Sequence, residues 1–279
     1  MDMLMTLRGF CVALLLVFLP LTLLAQTDHL QDELNSAYKG KILLLRNFYS
    51  GDTLAYGSDG QLRSSSLEGP WTLGGVQVTD IVVAAAAIEI RGNRVGAVFM
   101  HAKLSFIKLG KLHIEVQREI SGKDPEAAIR HIFLDPQEDL RPLLPEYWQA
   151  YLSGNDPKER RAAWTISIEK RNPTSSAPAK VSPGVVSPGV VGPPRATYSP
   201  DPKYTKEAAS RHFEGTSTLM VVVNTNGSAE HIGILNPLGM GLDEQAVKAV
   251  QRWRFQPAIK NGQPVSVQIT IEITFRCCP

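Results

Sequence analysis

The stretch Gly239–Pro264, GMGLDEQAVKAVQRWRFQPAIKNGQP, decides how this chain reads. Leu242, Ala246, Ala249 or Val250, and Trp253 recur at spacings of three and four, which puts them on one face of a helix. Asp243 and Glu244 open that helix, and Lys248, Arg252 and Arg254 follow toward its end, the order a helix dipole favours. Glu244 stands one turn before Lys248, at ion-pair spacing. Gly239-Met240-Gly241 serves the turn into the helix, Pro257 stops it, and Asn261-Gly262 marks the next turn. A strand is then predicted from Val265 to Arg276. Val265, Val267, Ile269, Ile271, Ile273 and Phe275 take one face; Ser266, Gln268, Thr270, Glu272, Thr274 and Arg276 take the other.

Working outward, Pro202 to His212 suggests a helix with Ala208 and Ala209 packing inward. Thr216 to Asn224 reads as a strand, Asn226-Gly227 as a hairpin turn, and Glu230 to Leu235 as the returning strand. The order helix, strand, strand, helix, strand fits a three-stranded antiparallel sheet with both helices on one face.

This region resembles the C-terminal domain of the TonB family. The resemblance rests on the acidic helix start, Trp253-Arg254-Phe255-x-Pro257-Ala258, Gly262-x-Pro264-Val265 and the alternating last strand. Tyr198-Ser199-Pro200, Ala208, Gly215, the strand Leu219 to Val223, and Asn226-Gly227 agree upstream, so it runs from about Pro194 to Arg276. It implies a cell-envelope protein that binds a TonB-dependent outer-membrane receptor and supports energy-dependent transmembrane transport. It implies no catalysis. Inner-membrane motor subunits would be partners through an N-terminal anchor helix, although the apolar run here offers no ionisable group for that contact.

The remaining chain divides by composition. Residues 1–26 read as a signal peptide or a retained membrane anchor: Gly9 to Ala25 is uncharged and apolar, broken by Pro20, with Ala25 as a cleavage position. Residues 27–171 read as an α+β domain, mainly antiparallel strands or a small barrel followed by two helices. Its strands are expected at Lys41–Tyr49, around Leu54–Tyr56 and Gln61–Arg63, Val76–Val83, Ala87–Arg91, Val95–Met100 and Lys111–Arg118, with Gly92-Asn93 as a tight turn. The helices are expected from Asp124-Pro125-Glu126 to about Leu134 and over Gln137–Leu152. Residues 172–197 read as a Pro/Gly-rich linker, with Pro178, Pro183, Pro188 and Pro193 five apart. Residues 198–276 are the TonB-like domain, and the two domains are expected to fold separately.

Composition narrows the function. A chain of 279 residues with 43% hydrophobic and 20% charged residues is globular and long enough for two domains. A net charge of +2 without a basic patch argues against a nucleic-acid partner. Cys11, Cys277 and Cys278 make no disulfide framework; the last two are an exposed end, an oxidised pair or an interchain link. The six histidines show no zinc-ligand spacing, so no metal is expected. Ser105-x-x-Lys108 and Ser167-x-x-Lys170 have serine–lysine spacing but lie in strand-like contexts. There is no phosphate-cradling loop, and neither a cofactor nor an enzyme activity is expected.

The expected function is therefore partner binding by strand pairing. The candidate contacts are Val265, Val267, Gln268, Ile269, Thr270, Ile271 and Glu272 along an open sheet edge, with Arg252 and Arg254 beside them. The alternative is a non-energised periplasmic module that uses the same sheet for homodimerisation.

Overall fold

The computed structural model describes residues 27–69, 72–100, 103–118, 126–134, 144–152, 164–169, 180–182 and 190–276. The targeting segment, the Asp124-Pro125 helix start and Cys277-Cys278 lie outside them. The chain is α+β and divides into two compact units. The first comprises Met1–Leu67, Gly75–Arg94 and Gly110–Pro136; the second comprises Glu68–Gly74, Val95–Leu109 and Gln137–Pro279.

The first unit holds helix α1 (residues 27–38) and strands β1 (Ile42–Leu45) and β2 (Thr53–Tyr56). It also holds most of β3 (Gly74–Val83), β4 (Ala87–Met100) and β5 (Lys103–Gln117), then helix α2 (Ala127–Ile132) and β6 (Phe133–Leu134). The sheet order is β2-β5-β4-β3-β1-β6; β1 runs antiparallel to β3 and β6, whereas β2 runs parallel to β5. Leu30 and Leu34 bring α1 onto a core with Leu54, Ile81, Ile90 and Ile114. Asn35 latches that helix down: its Nδ2 donates to Ile81 O at 2.8 Å and its Oδ1 accepts from Ile81 N at 3.0 Å.

One expected turn is absent. Gly92-Asn93 lies inside the continuous strand β4, and the chain reverses at residues 84–86. A Cβ on Gly92 would stand 2.3 Å from Gln77 O and 2.6 Å from Val76 Cγ2. The glycine lets β4 approach β3 closely, a use of strand glycine that a turn motif mimics in sequence.

The second unit is built on helix α3 (Glu146–Leu152) and strands β7 (Trp164–Glu169), β8 (Lys180–Ser182), β9 (Val190–Gly192) and β10 (Arg195–Tyr198). Helix α4 (Lys206–Ser210), β11 (Gly215–Val223), β12 (Ala229–Asn236) and helix α5 (Leu242–Val250) follow. The chain ends in β13 (Arg254–Gln256), β14 (Ala258–Lys260), β15 (Gln263–Val265) and β16 (Val267–Phe275). Its main sheet has the order β12-β11-β16-β7-β8. Residues 180–182 and 190–197, read as linker, thus supply β8, β9 and most of β10; β9 pairs with β14, and β10 with β13. Proline removes only its own donor, so the Val-Val and Arg-Ala-Thr-Tyr segments between prolines can still pair.

Helix α5 presents the expected face, with Leu242, Ala246, Ala249 and Val250 at most 1% exposed; it ends at Val250, seven residues before Pro257, so Pro257 does not stop it, and Trp253, 1% exposed, lies beyond it. It packs against β11 and β12, and Leu219 and Val221 of β11 are fully buried, as are Ile269 and Ile271 of β16. On the opposite face α3 packs against β12: a Cβ on Gly233 would lie 2.8 Å from Ala150 Cβ. Trp253 also donates its Nε1–H to Pro200 O at 3.1 Å.

The acidic helix start serves packing rather than the surface. Asp243 is fully buried and accepts from Ser217 Oγ at 2.6 Å, Leu238 N at 2.9 Å and Gly239 N at 2.6 Å. Glu244 turns inward to accept Thr72 N–H at 2.9 Å, while Lys248, its expected ion-pair partner, is exposed. Burial pushes both carboxyls up. Asp243 rises from 3.8 to about 6 against the pull of its donors, and Glu244 from 4.5 to about 7 with the Asp243 charge adding to burial. The native state therefore holds protons that the unfolded chain has already lost. This stability is full below the unfolded values and fades as pH climbs through the folded ones. The urea midpoint is expected to fall between about pH 5 and about pH 8, and Glu244→Gln to flatten about half of that fall. A midpoint that holds or climbs over this range contradicts the assignment.

Candidate functional site

The candidate site is strand β16, and its surroundings follow from its alternation. Ile269 and Ile271 are fully buried, so their side chains belong to the core and only their backbone is available for pairing. Gln268 is exposed, Val267 and Glu272 are half-buried, and Thr270 is 8% exposed. On one side β16 pairs antiparallel with β11 from Val267↔Val223 to Phe275↔Gly215. On the other side it pairs parallel with β7, from Ile269↔Trp164 to Thr274↔Glu169.

Two expectations need correction here. The strand was expected to be an open edge; it lies inside the sheet, because β7, about a hundred residues earlier, occupies its second side. Val265 is not part of it. Asn261 and Gly262, with φ of 50° and 78°, make a two-residue reversal that returns Gln263–Val265 along Ala258–Lys260. Val265 thus pairs with Ala258 in a separate sheet, and the chain breaks at Ser266 before β16 begins.

The two arginines lie elsewhere. Arg252 follows α5 and is exposed. Arg254 opens β13, opposite Tyr198 of β10, and its Nη1 donates to Trp253 O at 2.7 Å. They flank a second, two-stranded sheet rather than β16. Sequence reasoning missed β7 as a member of the site. Its signal was present: Trp164, Ile166 and Ile168 alternate with Thr165, Ser167 and Glu169. Among the described residues, no cluster of three His, Cys, Asp or Glu is arranged to hold a metal, and no helix is long and apolar enough to cross a membrane.

The second unit thus contains a small α+β sandwich, an antiparallel sheet under one amphipathic helix, with a neighbour strand admitted at β16. Residues 200–277 match the family model of the Gram-negative bacterial TonB protein C-terminal. Protein tonB2 of Pseudomonas aeruginosa is 36% identical over 80 residues, which cover 28% of this chain and 30% of that protein. Protein TonB of Vibrio cholerae serotype O1 is 33% identical over 76 residues, covering 27% and 31%. The chain thus spans under a third of the length of these relatives. The solution NMR structure of the Pseudomonas aeruginosa TonB CTD is 22% identical, covering 31% of this chain and 88% of that one, with a TM-score of 0.27.

Proposed function

We propose that the C-terminal domain is a coupling module of TonB type, in which an extended segment of an outer-membrane receptor adds to β16 in support of energy-dependent transport. The observation that supports this most is that β16 takes a second, parallel strand over six consecutive residues. Strand addition draws its affinity from backbone hydrogen bonds and its selectivity from alternate side chains. The exposed Gln268 and half-buried Glu272 are the positions that would grade an incoming sequence. In this reading residues 1–26 direct or anchor the chain in the envelope, the first compact unit forms an accessory region, and the chain carries out no catalysis. The inner-membrane motor subunits would engage it through that same N-terminal segment.

A photoreactive residue placed at Gln268 is expected to capture the amino-terminal segment of an outer-membrane receptor in living cells. Capture of only a second copy of this chain would replace the receptor reading with homodimerisation. Equal capture from Lys248, exposed on α5, would move docking away from the strand.

A further inference from the structure

We infer that residues 164–169 are an internal competitor: a built-in strand that occupies the place beside β16 and must leave before a partner strand can add. The inference rests on the reading of β16 as a strand acceptor and concerns how that acceptor is regulated. Six residues of β7 lie in unbroken parallel register with β16, with Trp164, Ile166 and Ile168 opposite Ile269, Ile271 and Ile273. This period-two pattern is the one an incoming strand would need to continue the sheet. The segment therefore fills the backbone positions that strand addition requires.

The arrangement also closes the sheet. A nine-residue alternating strand left open would template pairing with any extended chain. Here β7 covers it, and β7 is in turn paired with β8, of only three residues, through Thr165↔Ser182, Ile166↔Val181 and Ser167↔Lys180. Pro178 and Pro183 bracket β8 in sequence. A short strand between prolines is a poor template, so the sheet ends where further addition is blocked.

A tethered strand competes at high effective concentration, on the order of millimolar for short flexible connections. An external strand binds only the fraction of molecules whose β16 is vacant, and its apparent affinity falls by that fraction. The device sets a threshold: weak or chance strands are refused, and release of β7 opens the site.

The test uses the full chain and a peptide of its own residues Ala163–Lys170, AWTISIEK, with a scrambled peptide as control. The variants are Ile166→Pro and Ser167→Pro. Adjacent residues of a strand direct their N–H groups to opposite neighbours, so one variant removes a donor toward β16 and the other a donor toward β8. A third variant replaces residues 164–169 with Gly-Ser repeats of equal length and does not depend on proline placement. At least one proline variant and the Gly-Ser variant should bind the peptide about tenfold or more tighter than wild type. Their amides at residues 269–274 should exchange faster without peptide and recover protection with it. Equal binding by wild type and all variants, unchanged exchange at those amides, or no binding by any variant each overturns the inference. Receptor capture at Gln268 alongside equal peptide binding would leave the receptor reading intact and remove the competitor. Tighter binding in the variants without receptor capture would do the reverse.

Discussion

Asp243→Ala is expected to destabilise the C-terminal domain by about 3 kcal/mol, a large share of a domain's total stability. The carboxylate gathers three donors that have nowhere else to turn: the Ser217 hydroxyl on β11 and the Leu238 and Gly239 amides before α5. Alanine would leave them buried and unsatisfied, each costing about 1–3 kcal/mol, while relief from burying the carboxyl returns part of that. Asp243→Asn keeps one acceptor oxygen but points an amide N–H₂ at a donor, so an intermediate loss is expected. Urea denaturation of the full chain at neutral pH measures both. A loss under about 1 kcal/mol for Asp243→Ala would mean that the three donors find other partners.

Gly227→Ala should be comparably severe, at about 4 kcal/mol. Gly227 sits at φ 82° in the β11–β12 reversal, a conformation that costs an L-residue about 1–2 kcal/mol. The larger problem is space: a Cβ there would lie 1.9 Å from Phe255 O. The reversal is held against β13 by Phe255 N–H donating to Gly227 O at 2.8 Å and by the Ser228↔Arg254 bridge. The added methyl group must push these apart. Asn226→Ala, at an exposed neighbour outside this contact, is the control and should cost well under half as much. Similar losses at both positions, read from thermal melting, would show that the turn type alone is being measured.

Gly227 also shows where sequence reading stops. Asn226-Gly227 announces a reversal, because glycine tolerates positive φ and asparagine favours turns. Nothing local says that a carbonyl from residue 255 will press against it. Gly92 is the converse: a glycine next to an asparagine looked like a turn and proved to be a close approach between strands. The face of α5 and the alternation of β16 were legible, since both are periodic and their burial obeys the period. Which strand lies beside β16 was not legible, because alternation identifies a strand but carries no record of its neighbour. Val265 belonged to the same alternation as Val267, and only the tightness of the Asn261-Gly262 reversal assigned it to another sheet. The inward turn of Glu244 escaped for a related reason: ion-pair spacing along a helix cannot compete with a Thr72 amide brought in from 172 residues away.

The contact that α3 makes with β12 changes what the smallest transplantable piece of this protein is. The family boundary falls at residue 200, so a gene fragment starting nearby would carry the shared domain as sequence comparison draws it. Such a fragment would leave behind Ala150 over Gly233 and Met220, the Thr72 amide that Glu244 accepts, and the strand beside β16. It would begin with β12 uncovered at Gly233, a buried carboxyl stripped of its donor and an open edge beside β16. The domain and these earlier residues are therefore one folding unit, and a working transplant has to carry both.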